Sequence, residues 1–146
     1  MSETFILPTE QDMLDFGVVL AARLADGGVV YLSGDLGVGK TTLVRGLLRA
    51  MGHEGRVKSP SYGLVESYEL AGLTVHHLDL YRLGDPEEIE YLGIADLLDE
   101  RSLLLVEWAE KGRGFLPAAG LRIHIEDLPD QSRRLTLAGA DQGTAG

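Results

Sequence analysis

The chain contains no cysteine, which excludes both a disulfide framework and a thiolate metal site. No apolar run approaches the roughly 20 residues that cross a bilayer as a helix, so no such span is expected. No basic side chain precedes Arg23 and no signal-peptide pattern opens the chain, which leads us to expect a cytoplasmic protein. Basic residues are scarce throughout: 13 Lys and Arg against 23 Asp and Glu give a net charge of −10. Binding to bare nucleic acid relies on Lys and Arg neutralising phosphates, so independent nucleic-acid binding is not expected. Docking onto a basic protein partner stays open. With 45% hydrophobic and 25% charged residues, both ordinary for a globular protein, the 146 residues suffice for one domain with its own core.

Against these absences stands one dense motif. Gly34-Asp35-Leu36-Gly37-Val38-Gly39-Lys40-Thr41 fits the phosphate-loop pattern G-x-x-x-x-G-K-[ST]. Its glycines let backbone N–H groups turn inward and approach phosphate oxygens that a Cβ would hold off. Lys40 has the reach for β- and γ-phosphates, the Thr41 hydroxyl suits Mg²⁺, and the following helix adds its positive end. The context agrees: Gly28 to Ser33 reads as a buried strand entering the loop, and Thr42 to Leu48 as a helix leaving it.

Elsewhere, Phe5-Ile6-Leu7 reads as a short strand closed by Pro8. Thr9 and Asp12 form a capping box for a first helix carrying Met13, Phe16, Leu20 and Leu24 at helical spacing and ended by Gly27-Gly28. Tyr62 to Leu70 and Leu73 to Leu80 predict an antiparallel hairpin turning at Ala71-Gly72. Asp85 caps a short acidic helix with Pro86 in its first turn, interrupted at Gly93 before Ile94 to Leu98. Ser102 to Val106 has the apolar run of a central strand covered on both faces. Leu121 to Ile125 and Arg134 to Leu137 form a last strand pair across Pro129-Asp130. The expected class is therefore α/β: a P-loop NTPase-like mixed β-sheet with helices on both faces, in a single domain over residues 1–138. Residues 139–146 are expected to fray as a tail.

A phosphate loop needs an acidic metal partner, which P-loop proteins place at the end of a neighbouring apolar strand. Glu107, directly after Leu103-Leu104-Leu105-Val106, meets that description, and Asp79 ends a strand in the same manner. Trp108, the only tryptophan, either packs over the metal–phosphate region or fills the core. Ser59-Pro60-Ser61 lies where a switch loop would offer a hydroxyl to Mg²⁺ or the γ-phosphate, although a plain serine turn accounts for it as well. His76 and His77 point to opposite strand faces, so at most one enters a site; both are read as structural. Arg82 is read as a surface ion-pair residue.

The ordered set Gly34 to Thr42, Val57 to Tyr62, His77-Leu78-Asp79-Leu80-Tyr81-Arg82, Asp85-Pro86-Glu87-Glu88, Leu92-Gly93-Ile94 and Val106-Glu107-Trp108 resembles the TsaE family. These are small bacterial P-loop ATPases of tRNA threonylcarbamoyladenosine biosynthesis. The resemblance runs from Leu7 to about Arg134. It implies hydrolysis of ATP with Mg²⁺ in a complex with TsaD and TsaB, which transfer a threonylcarbamoyl group to a tRNA adenosine. The ATPase cycle would drive or reset that complex. It further implies that Thr41 and Glu107 ligate Mg²⁺, Lys40 binds phosphate, and Asp79 orients the attacking water. Residues Gly34 to Thr42 would cradle the nucleotide, with Trp108 beside it and Glu10 and Arg133 bordering the adenine. Where the family usually has Ser-Pro-Thr, this chain has Ser59-Pro60-Ser61, which keeps the hydroxyl but drops a methyl.

The main alternative is a small-molecule kinase using the same loop, but there is no Arg-rich lid segment and little chain left for an acceptor pocket. A GTPase is disfavoured by the absence of an Asn-Lys-x-Asp segment. A nucleotide-sensing module that scarcely turns ATP over overlaps with an ATPase active only on its partners.

Overall fold

The structure is a computed structural model that describes residues 2–35, 39–58, 60, 64–99 and 101–139. The two longest helices have different starts. Helix α1 (Glu10–Arg23) begins where the Thr9 hydroxyl accepts the Asp12 N–H at 3.1 Å and the Asp12 carboxylate accepts the Thr9 N–H at 3.0 Å. This is the capping box read from the sequence. Helix α2 (Lys40–Ala50) starts without a side-chain cap; Gly39 precedes it in the left-handed region at φ 106°.

The strands are β1 (Ser2–Leu7), β2 (Gly28–Ser33), β3 (Val65–Leu70), β4 (Leu73–Asp79), β5 (Ser102–Glu107), β6 (Leu121–Asp127) and β7 (Arg133–Gly139). They form one seven-stranded sheet in the order β1-β7-β6-β2-β5-β4-β3. The central pairs β6–β2, β2–β5 and β5–β4 are parallel, while β1–β7, β7–β6 and β4–β3 are antiparallel. Strand β5 is buried along its whole length, in keeping with its uninterrupted apolar run.

Alternation along β5 divides the core. Leu103 and Leu105 face α1 and α2, joining Leu20, Leu43 and Leu47. Leu104 and Val106 face the short helices α3 (Glu88–Leu92) and α4 (Ile94–Leu97), joining Ile89 and Ile94. Helices therefore cover both faces, as the sequence led us to expect. Helix α1 packs on α2 so closely that a Cβ added to Gly17 would lie 2.2 Å from the Gly46 carbonyl carbon. Glycine is required there by close approach of two backbones, not by dihedral angle.

Several boundaries shift. The first hairpin strand starts at Val65, not Tyr62, because Leu64 adopts φ 65° and cannot continue an extended strand; residues 61–63 lie outside the described residues. Its partner ends at Asp79, after which the Leu80 N–H bonds the Glu107 carbonyl at 3.1 Å. Gly139, assigned to the tail, closes β7 opposite Leu121, and 140–146 lie outside the described residues.

Candidate nucleotide-binding site

Parallel pairing of β4 and β5 sets Asp79 directly opposite Glu107. Because side chains alternate, His77, Asp79, Leu105 and Glu107 all project toward the α2 side, where Lys40 opens the helix. Lys40 is 5% exposed, Glu107 5% and His77 0%, so a cation, a carboxylate and an imidazole are withdrawn from water together. Such groups are tolerated inside a protein only when paired. The Lys40 ammonium donates to the Gly34 carbonyl at 2.7 Å and lies 3.6 Å from Glu107 Oε1. The other carboxylate oxygen, Oε2, is 2.6 Å from His77 Nε2. Burial raises the pKa of Asp79 above the usual carboxylate range. The Tyr81 N–H, bonded to its Oδ1 at 3.0 Å, opposes this, the neighbouring Glu107 adds to it, and His77 and Lys40 oppose it.

Trp108 sits in the left-handed region at φ 59°, an uncommon conformation for so large a residue. Its ring centroid is 5.0 Å from the Lys40 ammonium and 5.0 Å from the Tyr81 ring. It also packs against the α3–α4 core cluster. Trp108 thus packs against the core and abuts the phosphate-loop lysine.

The structure brings together Lys40, Asp79, Glu107 and Trp108, with Gly34 as an acceptor for Lys40. Thr41 and Thr42 follow Lys40 in the first turn of α2. Thr42 and Gly39 line a cavity of about 280 Å³ with Glu10, Met13 and Arg133. Glu10 and Arg133, far apart in sequence, thus meet beside the phosphate loop. Asp35 is exposed. Leu36, Gly37 and Val38 lie outside the described residues, as do Ser59 and Ser61 of the switch-like loop. A separate cavity of about 350 Å³, lined by Tyr31, Ser33, Arg113 and Arg122 among others, contains none of the anticipated site residues.

The sequence reads His77 as structural, and the structure places it against Glu107. The available signal was its position two residues before Asp79 on a strand, which gives both side chains the same face. His76, on the opposite face, accords with that reading: its Nδ1 is 2.7 Å from the Ser67 hydroxyl. Burial lowers its pKa, with Asp99 opposing.

The donor set fits a phosphate-bound magnesium ion. Glu107, Asp79 and the Thr41 hydroxyl offer hard oxygen atoms, the chemistry Mg²⁺ selects. Among the described residues no group of three or more His, Asp and Glu side chains forms a cage. At Gly39 it is the left-handed backbone that calls for glycine, since any other residue would be strained there.

A strand, a glycine-bearing connection and a helix headed by a buried lysine, set in a mixed sheet whose central pairs are parallel, define a P-loop NTPase-like α/β protein. A family model described as "Threonylcarbamoyl adenosine biosynthesis protein TsaE" matches residues 7–135. The tRNA threonylcarbamoyladenosine biosynthesis protein TsaE of Haemophilus influenzae is 48% identical over 141 residues, 93% of this chain and 89% of that one. The Bacillus subtilis protein of the same name is 36% identical over 117 residues, 80% and 73% of the respective chains. The crystal structure of B. subtilis YdiB superposes with a TM-score of 0.76 at 26% identity, covering 96% of this chain and 86% of that one. This chain belongs to the TsaE family, which is assigned to tRNA threonylcarbamoyladenosine biosynthesis.

Proposed function

We propose that this protein is the Mg²⁺-dependent ATPase subunit of tRNA threonylcarbamoyladenosine formation, hydrolysing ATP to drive or reset a TsaD–TsaB complex. The observation that carries the proposal is the convergence of Lys40, Asp79 and Glu107 beneath the N-terminus of α2 in a chain of this family. Lys40 binds the β- and γ-phosphates, leaving the Gly34 carbonyl and Glu107 that now hold its ammonium. The first turn of α2, which Lys40 opens after Gly39, offers N–H donors to the phosphates. Thr41 and Glu107 hold Mg²⁺, which when bound neutralises charge developing on the phosphate oxygens.

Asp79 orients the water that displaces ADP from the γ-phosphoryl group. Its burial beside Glu107 favours the proton-accepting role, because a carboxylate with a raised pKa is a stronger base. Trp108 lies against the Lys40 ammonium and limits water beside the phosphates. Glu10 and Arg133 border the adenine in the cavity shared with Gly39 and Thr42. The partners supply what this small domain lacks, an acceptor site, and the reaction takes place in the cytoplasm. The protein's net charge of −10 disfavours tRNA contact by this chain alone.

Turnover of ATP with and without TsaD, TsaB and tRNA tests the proposal. Stimulation that requires both proteins is the expected result. Turnover indifferent to them favours a stand-alone activity such as a small-molecule kinase.

A further inference from the structure

The buried cluster contains one group that the proposed reaction does not use. His77 is 0% exposed, and its Nε2 is 2.6 Å from Glu107 Oε2. Nε2 and Oε2 share one hydrogen bond, which occupies that ring nitrogen. The remaining ring nitrogen, Nδ1, is buried with no partner among the described residues. Leaving such a nitrogen unsatisfied costs about 1–3 kcal/mol. A histidine selected only to fill the core would be expected to satisfy it, as the adjacent His76 does through Ser67. What His77 contributes to the cluster is therefore the bond made by Nε2.

We infer that His77 is a positioning residue that fixes the rotation of the Glu107 carboxylate so that Oε1 faces the phosphate–metal site. The two oxygens of Glu107 are already differentiated: Oε2 is held by a ring on a central strand, whereas Oε1 lies 3.6 Å from the Lys40 ammonium. When Lys40 transfers to phosphate, only the His77 bond continues to hold the carboxylate. A carboxylate free to rotate would lose orientational entropy on binding a metal, and one pinned at a single oxygen has already lost it. Hydrogen-bonded partners of metal-binding side chains commonly change metal affinity 10–100-fold on removal. This inference rests on the assignment of Glu107 as a metal ligand.

The test uses the full chain and the only tryptophan, 5.0 Å from the Lys40 ammonium, as the reporter. Trp108 emission is followed while MgCl₂ is titrated into protein saturated with ADP, and ADP is titrated separately in EDTA. His77→Leu removes the bond at similar bulk. It should raise the magnesium midpoint about 10–100-fold and leave metal-free ADP affinity unchanged. His77→Gln, whose Nε2 lies the same number of bonds from Cα, should restore most of the midpoint. If His77→Leu does not fold, His77→Asn against His77→Gln makes the same comparison, because Asn is one methylene too short to reach Oε2. A folded His77→Leu with the wild-type midpoint overturns the inference. So does an equal loss of metal-free ADP affinity, which would show a merely structural role. A wild-type protein whose ADP binding ignores magnesium overturns the assignment of Glu107 itself, whatever the variants do.

Discussion

Replacing Gly46 with alanine tests whether backbone contact with α1 sets the position of α2, and with it the phosphate loop. A Cβ at Gly46 would lie 2.3 Å from the Leu14 carbonyl oxygen, and its neighbour Gly17 is equally confined against Gly46. Both obstacles are backbone atoms on packed helices, so neither can rotate aside. Ordinary contact begins near 3.4 Å, so the helices must part by about 1 Å. Two effects oppose each other. Alanine is favoured over glycine in a helix interior by up to about 1 kcal/mol. Overpacking costs about 1–3 kcal/mol, with the upper end applying where backbone must move, and separation would also loosen Leu20 from Leu43 and Leu47 in the shared core. The steric term wins, and we expect a net loss of about 2 kcal/mol. For a domain of this size that corresponds to a fall of about 4–8 °C in Tm. Urea and thermal unfolding provide the measurement. Gly120→Ala serves as the control, because its Cβ would meet only the Val29 carbonyl oxygen at an ordinary 3.7 Å. A Gly46→Ala protein as stable as the wild type or more so would refute the reasoning, since helix propensity would then have outweighed the contact.

Asp79→Asn should be more stable than the wild type near pH 7. A carboxyl whose folded pKa is raised contributes its stability below the unfolded value of about 3.8 and loses it as pH rises through the folded pKa. The advantage of the variant should therefore shrink as pH falls toward 4, and chemical denaturation at the two pH values reads it; no gain at pH 7 contradicts the assigned burial cost. Lys40→Ala and Glu107→Ala should keep the wild-type circular dichroism spectrum and abolish ATP hydrolysis, and undiminished turnover in either would remove that residue from the site. Mg·ATP at about 100 times its Kd should stabilise the protein by roughly 2.7 kcal/mol, seen as a rise in Tm. An equal rise with Mg·GTP would count against adenine selectivity.

The features legible in the sequence are those determined by short stretches of chain. The phosphate loop is a run of consecutive residues whose glycines and lysine define their own chemistry. The Thr9–Asp12 cap closes within four residues, the hairpin turns on Ala71-Gly72, and the apolar run of β5 declares a strand covered on both faces. Glu107 and Asp79 were readable because a strand end is a local feature, although nothing local placed them side by side. The parallel register of β4 and β5 did that. The same register turned His77 from a residue read as structural into the partner of Glu107, across a separation of 30 residues. The first strand's pairing with the last, the meeting of Glu10 with Arg133 and the contact of Gly17 with Gly46 likewise join distant segments. Hydrophobic periodicity states which face of an element is buried but not which other element covers it. The tertiary structure made that choice by bringing distant faces into contact, and in doing so assembled a site from the ends of β2, β4 and β5 around the head of α2.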